Sequence, residues 1–296
     1  MAIVLLLMVA ACLGMLQDAA TSVSHVALPL TEWINGTDHQ WLGNIAVGTP
    51  PQNFTVLFTT ISSDLILPGK KCNNCGSCKT FDPTESSSFS PARDGHVRLP
   101  FPVVENSTSE LANCHWVYDK VIIGGITQPD QSLILCDEYP PFLTELAVDG
   151  IIGLTPRNTS YGSKTPLFWN LWEHDYFDEP VFSIILPANN TADNQIILGG
   201  LNPDKYSGNI FMLNVDGDAY ENQGTWAHRF EAIHVNGQRL PRSISGDNIG
   251  PQAPFPSADA VLDIGTPFIK VPDYETARLL YDSLSTEIHQ LDSAGA

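Results

Sequence analysis

The chain has 296 residues, of which 43% are hydrophobic and 9% aromatic, so it can form a packed core and is not a disordered polypeptide. Its 14 basic and 33 acidic side chains give a formal net charge of −19 at pH 7, which argues against binding to nucleic acid or to anionic membranes. The length fits one large or two medium domains.

An apolar stretch opens the chain, from Ala2 to Leu16, and small residues follow it. The stretch is too short for a comfortable membrane span and has the pattern of a secretory signal peptide. We therefore predict a signal peptide over residues 1–20, secretion to the extracellular space, and no membrane span after its removal. Asn-x-Ser/Thr sequons agree with that route, and the candidate glycosylation sites are Asn35, Asn53, Asn106, Asn158 and Asn189.

Short β-branched or aromatic runs separated by Gly, Pro, Asn and Asp turns recur along the chain, which predicts an all-β fold. The strands are predicted at 41–47, 54–58, 65–68, 117–123, 132–136, 181–186, 196–198 and 210–215. Helical signals are few, and the best predict helices over 166–174 and 273–291. A polar stretch at 188–194 predicts a boundary near residue 190, between an N-terminal lobe at 38–190 and a C-terminal lobe at 191–296.

The cysteines suggest one disulfide-bonded loop and one disulfide-bonded hairpin. Cys114 and Cys136 are placed almost symmetrically about Gly124-Gly125, so a hairpin turning there would allow a disulfide between them. Among Cys72, Cys75 and Cys78, one local bridge would leave one thiol free or available to another chain. A zinc site at this triplet would need a fourth ligand such as His96 or His115, and an exported chain favours a disulfide-stapled loop. We predict no metal and no cofactor.

Two segments of the chain share one shape, an apolar strand followed by a tight polar turn and a second apolar run. The first turn reads Thr59-Thr60-Ile61-Ser62, and the second reads Asp263-Ile264-Gly265-Thr266. Thr59 therefore stands at the position of Asp263 in the repeat. The two turns are the candidate active-site loops.

Further motifs follow in one order, from about Trp41 to Pro272. They are the segments 41–56, 82–89, 148–154, 180–183 and 197–200 and a strand that carries Trp226. Together with the two turns they resemble the pepsin-like aspartic proteases, in particular the secreted fungal type. The resemblance implies a bilobal double-β-barrel architecture. It also implies an incomplete second lobe, since the chain ends shortly after Asp263.

In that family each lobe contributes an Asp-Thr-Gly loop to a cleft. One carboxylate helps to remove a proton from the attacking water, and the other, protonated, donates to the developing oxyanion. The resemblance makes Asp263 the candidate catalytic residue and Thr59 a degenerate catalytic position, whose hydroxyl can orient water but cannot accept its proton as a carboxylate does. Ile61 replaces a glycine, and Ile264 replaces a threonine that braces the two loops.

The resemblance therefore implies a secreted homologue of the aspartic endopeptidases that has little or no peptidase activity but keeps a cleft for a peptide or protein ligand. The predicted flap at 97–102 lacks a Tyr-Gly pair, and the segment before Trp41 is too short for a basic prosegment. One alternative is a residual acid endopeptidase, for example through pairing of two Asp263 loops in a dimer. Another is an incomplete or mis-spliced product. Dimerisation through the second lobe and the question of enzyme activity stay open at this level.

Overall fold

The computed structural model describes residues 2–8, 25–35, 38–101, 110–139, 148–157, 160–187, 193–215, 217, 224–230, 232–235, 237–239, 258–266, 269, 271 and 274–284. Within these ranges the protein is mostly β, with sixteen strands and two short α-helices, which confirms the predicted fold class. The strands are β1 (Ala2–Met8), β2 (Val26–Pro29), β3 (Thr31–Asn35), β4 (Asp38–Val47), β5 (Gln52–Thr59), β6 (Leu65–Pro68), β7 (Ser90–Phe101), β8 (Glu110–Ile123), β9 (Ile126–Cys136), β10 (Gly150–Gly153), β11 (Val181–Pro187), β12 (Gln195–Leu198), β13 (Ala227–Phe230), β14 (His234–Val235), β15 (Gln238–Arg239) and β16 (Ala258–Val261). The helices are α1 (Leu167–Glu173) and α2 (Tyr274–Leu284).

An eight-stranded sheet forms the largest part of the molecule. Its strands lie in the order β3-β4-β5-β10-β6-β9-β8-β7, and β4 also pairs with β8, so that part of the sheet curls back on itself. Apolar side chains of β4, β5, β8 and β9 line the inside of this curl and form the main core, with Val47, Val56 and Val121 fully buried. Burial of such side chains is the dominant favourable contribution to folding.

The β8–β9 hairpin turns at Gly124 and Gly125, both of which have positive φ angles that favour glycine. Its register places Cys114 opposite Cys136, and the two form a disulfide with an S–S distance of 2.07 Å. A second disulfide joins Cys72 and Cys75. Both bridges agree with the expectations from the sequence.

The remaining thiol of the triplet belongs to Cys78, which is free and partly buried. Burial and the nearby Asp149 carboxylate raise the pKa of the Cys78 thiol, in that order of size. A local bridge has thus left one thiol unpaired.

Helix α1 connects the large sheet to a four-stranded sheet ordered β1-β11-β12-β2. The ring of Phe168 on α1 lies 5.3 Å from that of Phe177 and 5.4 Å from that of Phe182 on β11, measured between centroids. Phe182 in turn contacts Trp226, which is fully buried and donates its indole N–H to the Leu154 carbonyl oxygen at 2.7 Å. This aromatic cluster ties the chain around Trp226 to the end of β10.

Strand β1 lies inside the predicted signal peptide and pairs with β11 along its whole length. Removal of residues 1–20 would leave β11 paired with β12 on one side. Cleavage of a signal peptide and the lobe boundary near residue 190 stay predictions. Residues 188–192 lie outside the described ranges.

The predicted helices are confirmed in position, α1 within 166–174 and α2 within 273–291, whose last residues lie outside the described ranges. The predicted strand at 210–215 is wrong, because this stretch has no regular secondary structure and pairs with no strand in the part of the chain that the structure describes. Phe211 is 89% exposed and Leu213 70% exposed, whereas Val215 is partly buried against the main core. An apolar run forms a strand only when a partner offers hydrogen bonds, and no partner is recorded here.

The structure also locates some of the predicted surface sites. Asn35 and Asn53 are exposed, whereas Asn106, Asn158 and Asn189 lie outside the described residues. No helix in the described ranges is both long enough and apolar enough to cross a bilayer.

Candidate functional site

Strand β5 delivers Thr59 to the first loop of the site. Thr59 is buried and lies opposite Gly153 in the parallel pairing of β5 with β10, and its carbonyl oxygen accepts the Leu154 N–H at 2.8 Å. A β-carbon on Gly153 would lie 2.1 Å from the Ser62 carbonyl oxygen, so only glycine lets the loop pass this close. The end of β10 thus packs directly against the first loop and supports it.

The second loop follows β16, a strand paired with β13. The loop folds around its own carboxylate, as aspartate turns often do. The Gly265 N–H donates to Asp263 Oδ1 at 2.9 Å, and the Thr266 hydroxyl donates to Asp263 Oδ2 at 2.5 Å. Gly265 is close to the first loop, since a β-carbon on it would lie 3.0 Å from Thr59 Cβ.

The two loops meet at Thr59 and Asp263, as the family resemblance implies. The Thr59 hydroxyl donates to Asp263 Oδ1 at 2.9 Å, and the Thr60 N–H points to the same oxygen at 3.4 Å. With the two donors from its own loop, the Asp263 carboxylate accepts four hydrogen bonds. All four partners donate, so the carboxylate oxygens act only as acceptors in these contacts.

Thr60 connects the two loops through its hydroxyl, as the family resemblance implies for a threonine at this position. Its Oγ1 donates to the Leu262 carbonyl oxygen at 2.6 Å and accepts the Ile264 N–H at 3.3 Å. Thr60 is fully buried, so these bonds are shielded from water. Ile264 has no hydroxyl, and the connection is therefore made by one side chain rather than by two.

The other loop residues surround this contact. Ile61 is 47% exposed, and its N–H donates to the Thr59 hydroxyl oxygen at 3.3 Å. Ser62 is half-buried with its carbonyl oxygen against Gly153, and Ile264 is half-buried against the main core. The seven loop residues named from the sequence alongside Asp263 thus all lie in one place: Thr59, Thr60, Ile61, Ser62, Ile264, Gly265 and Thr266.

Two buried aspartates near the first loop hold the scaffold together. Asp64 is 2% exposed and accepts from the Ser160 hydroxyl at 2.6 Å and the Tyr161 N–H at 3.1 Å. Burial is the largest influence on its pKa and raises it above 3.8, against the opposing effect of these donors. Asp149 accepts from the N–H groups of Thr55 at 2.8 Å and Lys79 at 2.7 Å. From the sequence these residues were expected to be turn or surface carboxylates, but both are buried. The apolar runs next to them in the sequence could have indicated that burial.

The geometry gives one carboxylate and one hydroxyl at the position where the loops meet. Within the described ranges, every recorded hydrogen bond to Asp263 comes from a hydroxyl or an N–H group, and no second carboxylate contacts it. Those ranges also contain no group of three His, Cys, Asp or Glu side chains arranged to hold a metal ion. The predicted flap lies on β7 as far as Phe101, and Pro102 is outside the described residues.

Known proteins with the same order of segments identify the fold. The sequence model of the eukaryotic aspartyl protease family matches residues 40–291. The chain is 29% identical over 265 residues to pepsin A of Suncus murinus, with 88% of this chain and 61% of that protein covered. It is 29% identical to pepsin A of Rhinolophus ferrumequinum, with 87% and 60% covered, and 28% identical to pepsin A of Sus scrofa, with 86% and 60% covered.

The chain thus spans about three fifths of the length of the curated relatives that it matches. The family match covers most of the chain, including nearly all of β4, all of β5 to β16 and both candidate loops. With its mostly β structure and its paired loops, the chain belongs to the eukaryotic aspartyl protease family and has a pepsin-like fold.

Proposed function

We propose that this protein is a pseudoprotease, a pepsin-family homologue that binds peptide segments in the cleft beside Asp263 without cutting them. The observation that carries the proposal is the 2.9 Å hydrogen bond from Thr59 Oγ1 to Asp263 Oδ1. A hydroxyl occupies the position facing Asp263, where the family resemblance calls for the first catalytic carboxylate.

The chemistry explains why this exchange matters. Hydrolysis through a carboxylate pair needs one group as base and one as acid, with a proton shared between them. Thr59 has no acidity in the working range of pH, and its proton is already donated to Asp263. Loss of a general acid or base costs about 10²- to 10⁴-fold in rate, and more when the two roles are coupled.

A peptide ligand is supported by the family and by the features of the site that remain. Ile61 offers an apolar side chain at the loop surface, and Asp263 is partly exposed. Backbone pairing together with apolar contacts is a common way to bind an extended peptide, and it needs no carboxylate pair. Binding would therefore outlast the loss of catalysis.

Reversion of the altered loop positions tests the proposal. Wild type, Thr59→Asp and the triple variant Thr59→Asp/Ile61→Gly/Ile264→Thr are incubated with denatured protein at acid pH, with and without pepstatin. We expect no hydrolysis by wild type and pepstatin-sensitive hydrolysis by the triple variant, because it restores the second carboxylate and both altered neighbours. The matched control adds Asp263→Asn to the triple variant and should abolish the gain.

Pepstatin binding to the wild-type protein, followed by calorimetry, separates a retained cleft from a lost one. Binding without hydrolysis supports the pseudoprotease. Hydrolysis by wild type that disappears with Asp263→Asn would establish the residual acid endopeptidase instead.

We also propose that the protein is a secreted glycoprotein of the fungal pepsin type, with its signal peptide at residues 1–20 and its lobes at 38–190 and 191–296. The exposed Asn35 and Asn53 side chains and the two disulfides support export. Expression in a secreting eukaryotic host, with glycosidase treatment of wild type and Asn53→Gln, tests this proposal. A protein retained in the cells without glycans would contradict it.

A further inference from the structure

A cavity of about 810 Å³ lies on the large sheet, away from Asp263. It opens between the β7–β8 pair and the loops that hold Lys71 and Asp82, and no residue of the two candidate loops lines it. Its volume is within the range of about 300–1,000 Å³ that is typical of small-molecule sites. We refer to it as the β7–β8 cavity.

An irregularity in strand pairing opens the cavity. Pro91 lies opposite Val117 and His96 lies opposite His115, so β7 carries extra residues between the two pairs. Such a bulge bends the strand and redirects its side chains. Gly95 permits the bend, since a β-carbon there would lie 2.8 Å from the Trp116 carbonyl oxygen.

The floor of the cavity is apolar. Phe89, Val117 and Leu135 line it, and all three also belong to or pack against the main core. Val117 and Leu135 are almost fully buried, which fixes their positions. A ligand with an apolar body would bury its surface against a preformed floor.

Among the described side chains that line the cavity, three carry a positive charge and two are carboxylates. Lys70 forms an ion pair with Asp82, and His115 Nε2 lies 3.1 Å from Asp137 Oδ2, so the two carboxylates already have partners.

The other two cations of the rim, Lys71 and Arg93, are exposed and take part in no ion pair recorded for the described residues. Three of the 14 Lys and Arg residues of this acidic chain therefore lie around one cavity. Two of them have their charge available to a ligand.

We propose that the β7–β8 cavity binds a small organic carboxylate with an apolar body. The Arg93 guanidinium can bind a carboxylate through two parallel hydrogen bonds, and Lys71 adds a second positive charge. The apolar part of the ligand lies on Phe89, Val117 and Leu135. An inorganic anion would leave this floor empty, and an uncharged apolar molecule would leave both cations unused.

The test measures binding of phenylacetate to the full chain at neutral pH by ligand-observed NMR and calorimetry. Phenylacetamide, which has the same ring and no charge, is the matched ligand. We expect phenylacetate to bind and the double variant Lys71→Gln/Arg93→Gln to bind it at least about tenfold more weakly. Phenylacetamide should bind wild type and the double variant equally and weakly.

Arg98→Gln is the matched protein control, because Arg98 is exposed on β7 but does not line the cavity. It should bind phenylacetate as wild type does, and thermal unfolding should be the same for all three proteins. Equal binding of phenylacetate by wild type and the double variant would overturn the proposal. The absence of detectable binding by wild type at about 10 mM phenylacetate would also overturn the proposal, because a site with a millimolar Kd would be mostly occupied at that concentration.

Discussion

The two loops that meet at the candidate site are supported very differently. Thr59 is buried at the end of a central strand of an eight-stranded sheet. It is supported by Gly153, the last residue of β10, and by Leu154, which follows that strand. Asp263 follows β16, which pairs with β13 alone among the described strands. The first loop, which carries the Thr59 hydroxyl, is therefore better supported than the second loop, which carries the Asp263 carboxylate. The strength of a loop's support therefore does not follow whether the loop carries the carboxylate.

The support beneath the first loop gives the largest expected effect. Gly153→Ala should lower the free energy of unfolding by about 3 kcal/mol, because its β-carbon would overlap the Ser62 carbonyl oxygen and backbone atoms cannot move aside easily. Urea unfolding followed by tryptophan fluorescence measures the change. Gly69→Ala is the control, since its β-carbon would find its nearest neighbours at 3.6 Å or beyond, and it should cost less than about 1 kcal/mol. Equal losses from the two substitutions would contradict this account of the support.

The connection between the loops gives the next effect. Thr60→Val removes the hydroxyl that serves both the Leu262 carbonyl and the Ile264 N–H, and it should cost about 2 kcal/mol because two backbone groups lose their partner. Thr127→Val makes the same change on an exposed strand position and should stay within about 0.5 kcal/mol. The same unfolding assay compares them. A Thr60→Val protein as stable as the control would show that the loops are not joined through this side chain.

The contact between Thr59 and Asp263 should have a smaller but measurable energy. In a double-mutant cycle with Thr59→Val and Asp263→Ala, we expect a coupling free energy of about 1.5 kcal/mol, as for a hydrogen bond to a charged acceptor. Unfolding of the two single variants and the double variant in urea provides the four values of the cycle. Additive effects of the single variants would mean that the two side chains do not interact.

The smallest expected effect is a pH dependence of stability that comes from Asp64, which is buried next to the first loop. The raised pKa of Asp64 means that its contribution to stability is fully present below about pH 3.8 and is lost as pH rises through the folded-state value. The stability of wild type minus that of Asp64→Asn should therefore fall as pH rises above about 3.8.

Asp82 provides a control of opposite sign. Lys70 lowers its pKa, so its contribution is present above the unfolded value and is lost as pH falls through the folded one. The matching difference for Asp82→Asn should rise with pH. Two differences that change in the same direction would contradict the assignment of these causes.

Much of this architecture follows from the sequence because it depends on local patterns. Alternating apolar runs predicted most strands of the large sheet, and two cysteines placed almost symmetrically about Gly124-Gly125 predicted a hairpin and its disulfide. The strand at 210–215 was predicted wrongly because strand formation requires a partner, and composition carries no information about that partner. By contrast, the repeat matched the positions of Thr59 and Asp263, and the family resemblance implied that their loops meet, although the two residues are 204 positions apart.

The backbone partners of Thr60 and the β7–β8 cavity could not be found in the same way. The Thr60 hydroxyl matters because its two partners come from the other loop, and the cavity exists because an irregular pairing opens one strand. Both are properties of distant segments brought together. The family resemblance implies that a threonine braces the loops but does not give its partners, and the sequence shows Lys71 and Arg93 only as isolated cations.

Hydrolysis of a denatured protein substrate by the wild-type chain at acid pH is the most direct test of the central claim, that a threonine facing Asp263 ends catalysis. Wild type and Asp263→Asn are compared with pepsin A at equal concentration over a long incubation. The account predicts that wild type is slower than pepsin A by at least about 10³-fold and is not distinguished from Asp263→Asn. Cleavage by wild type that pepstatin inhibits and Asp263→Asn abolishes would contradict it.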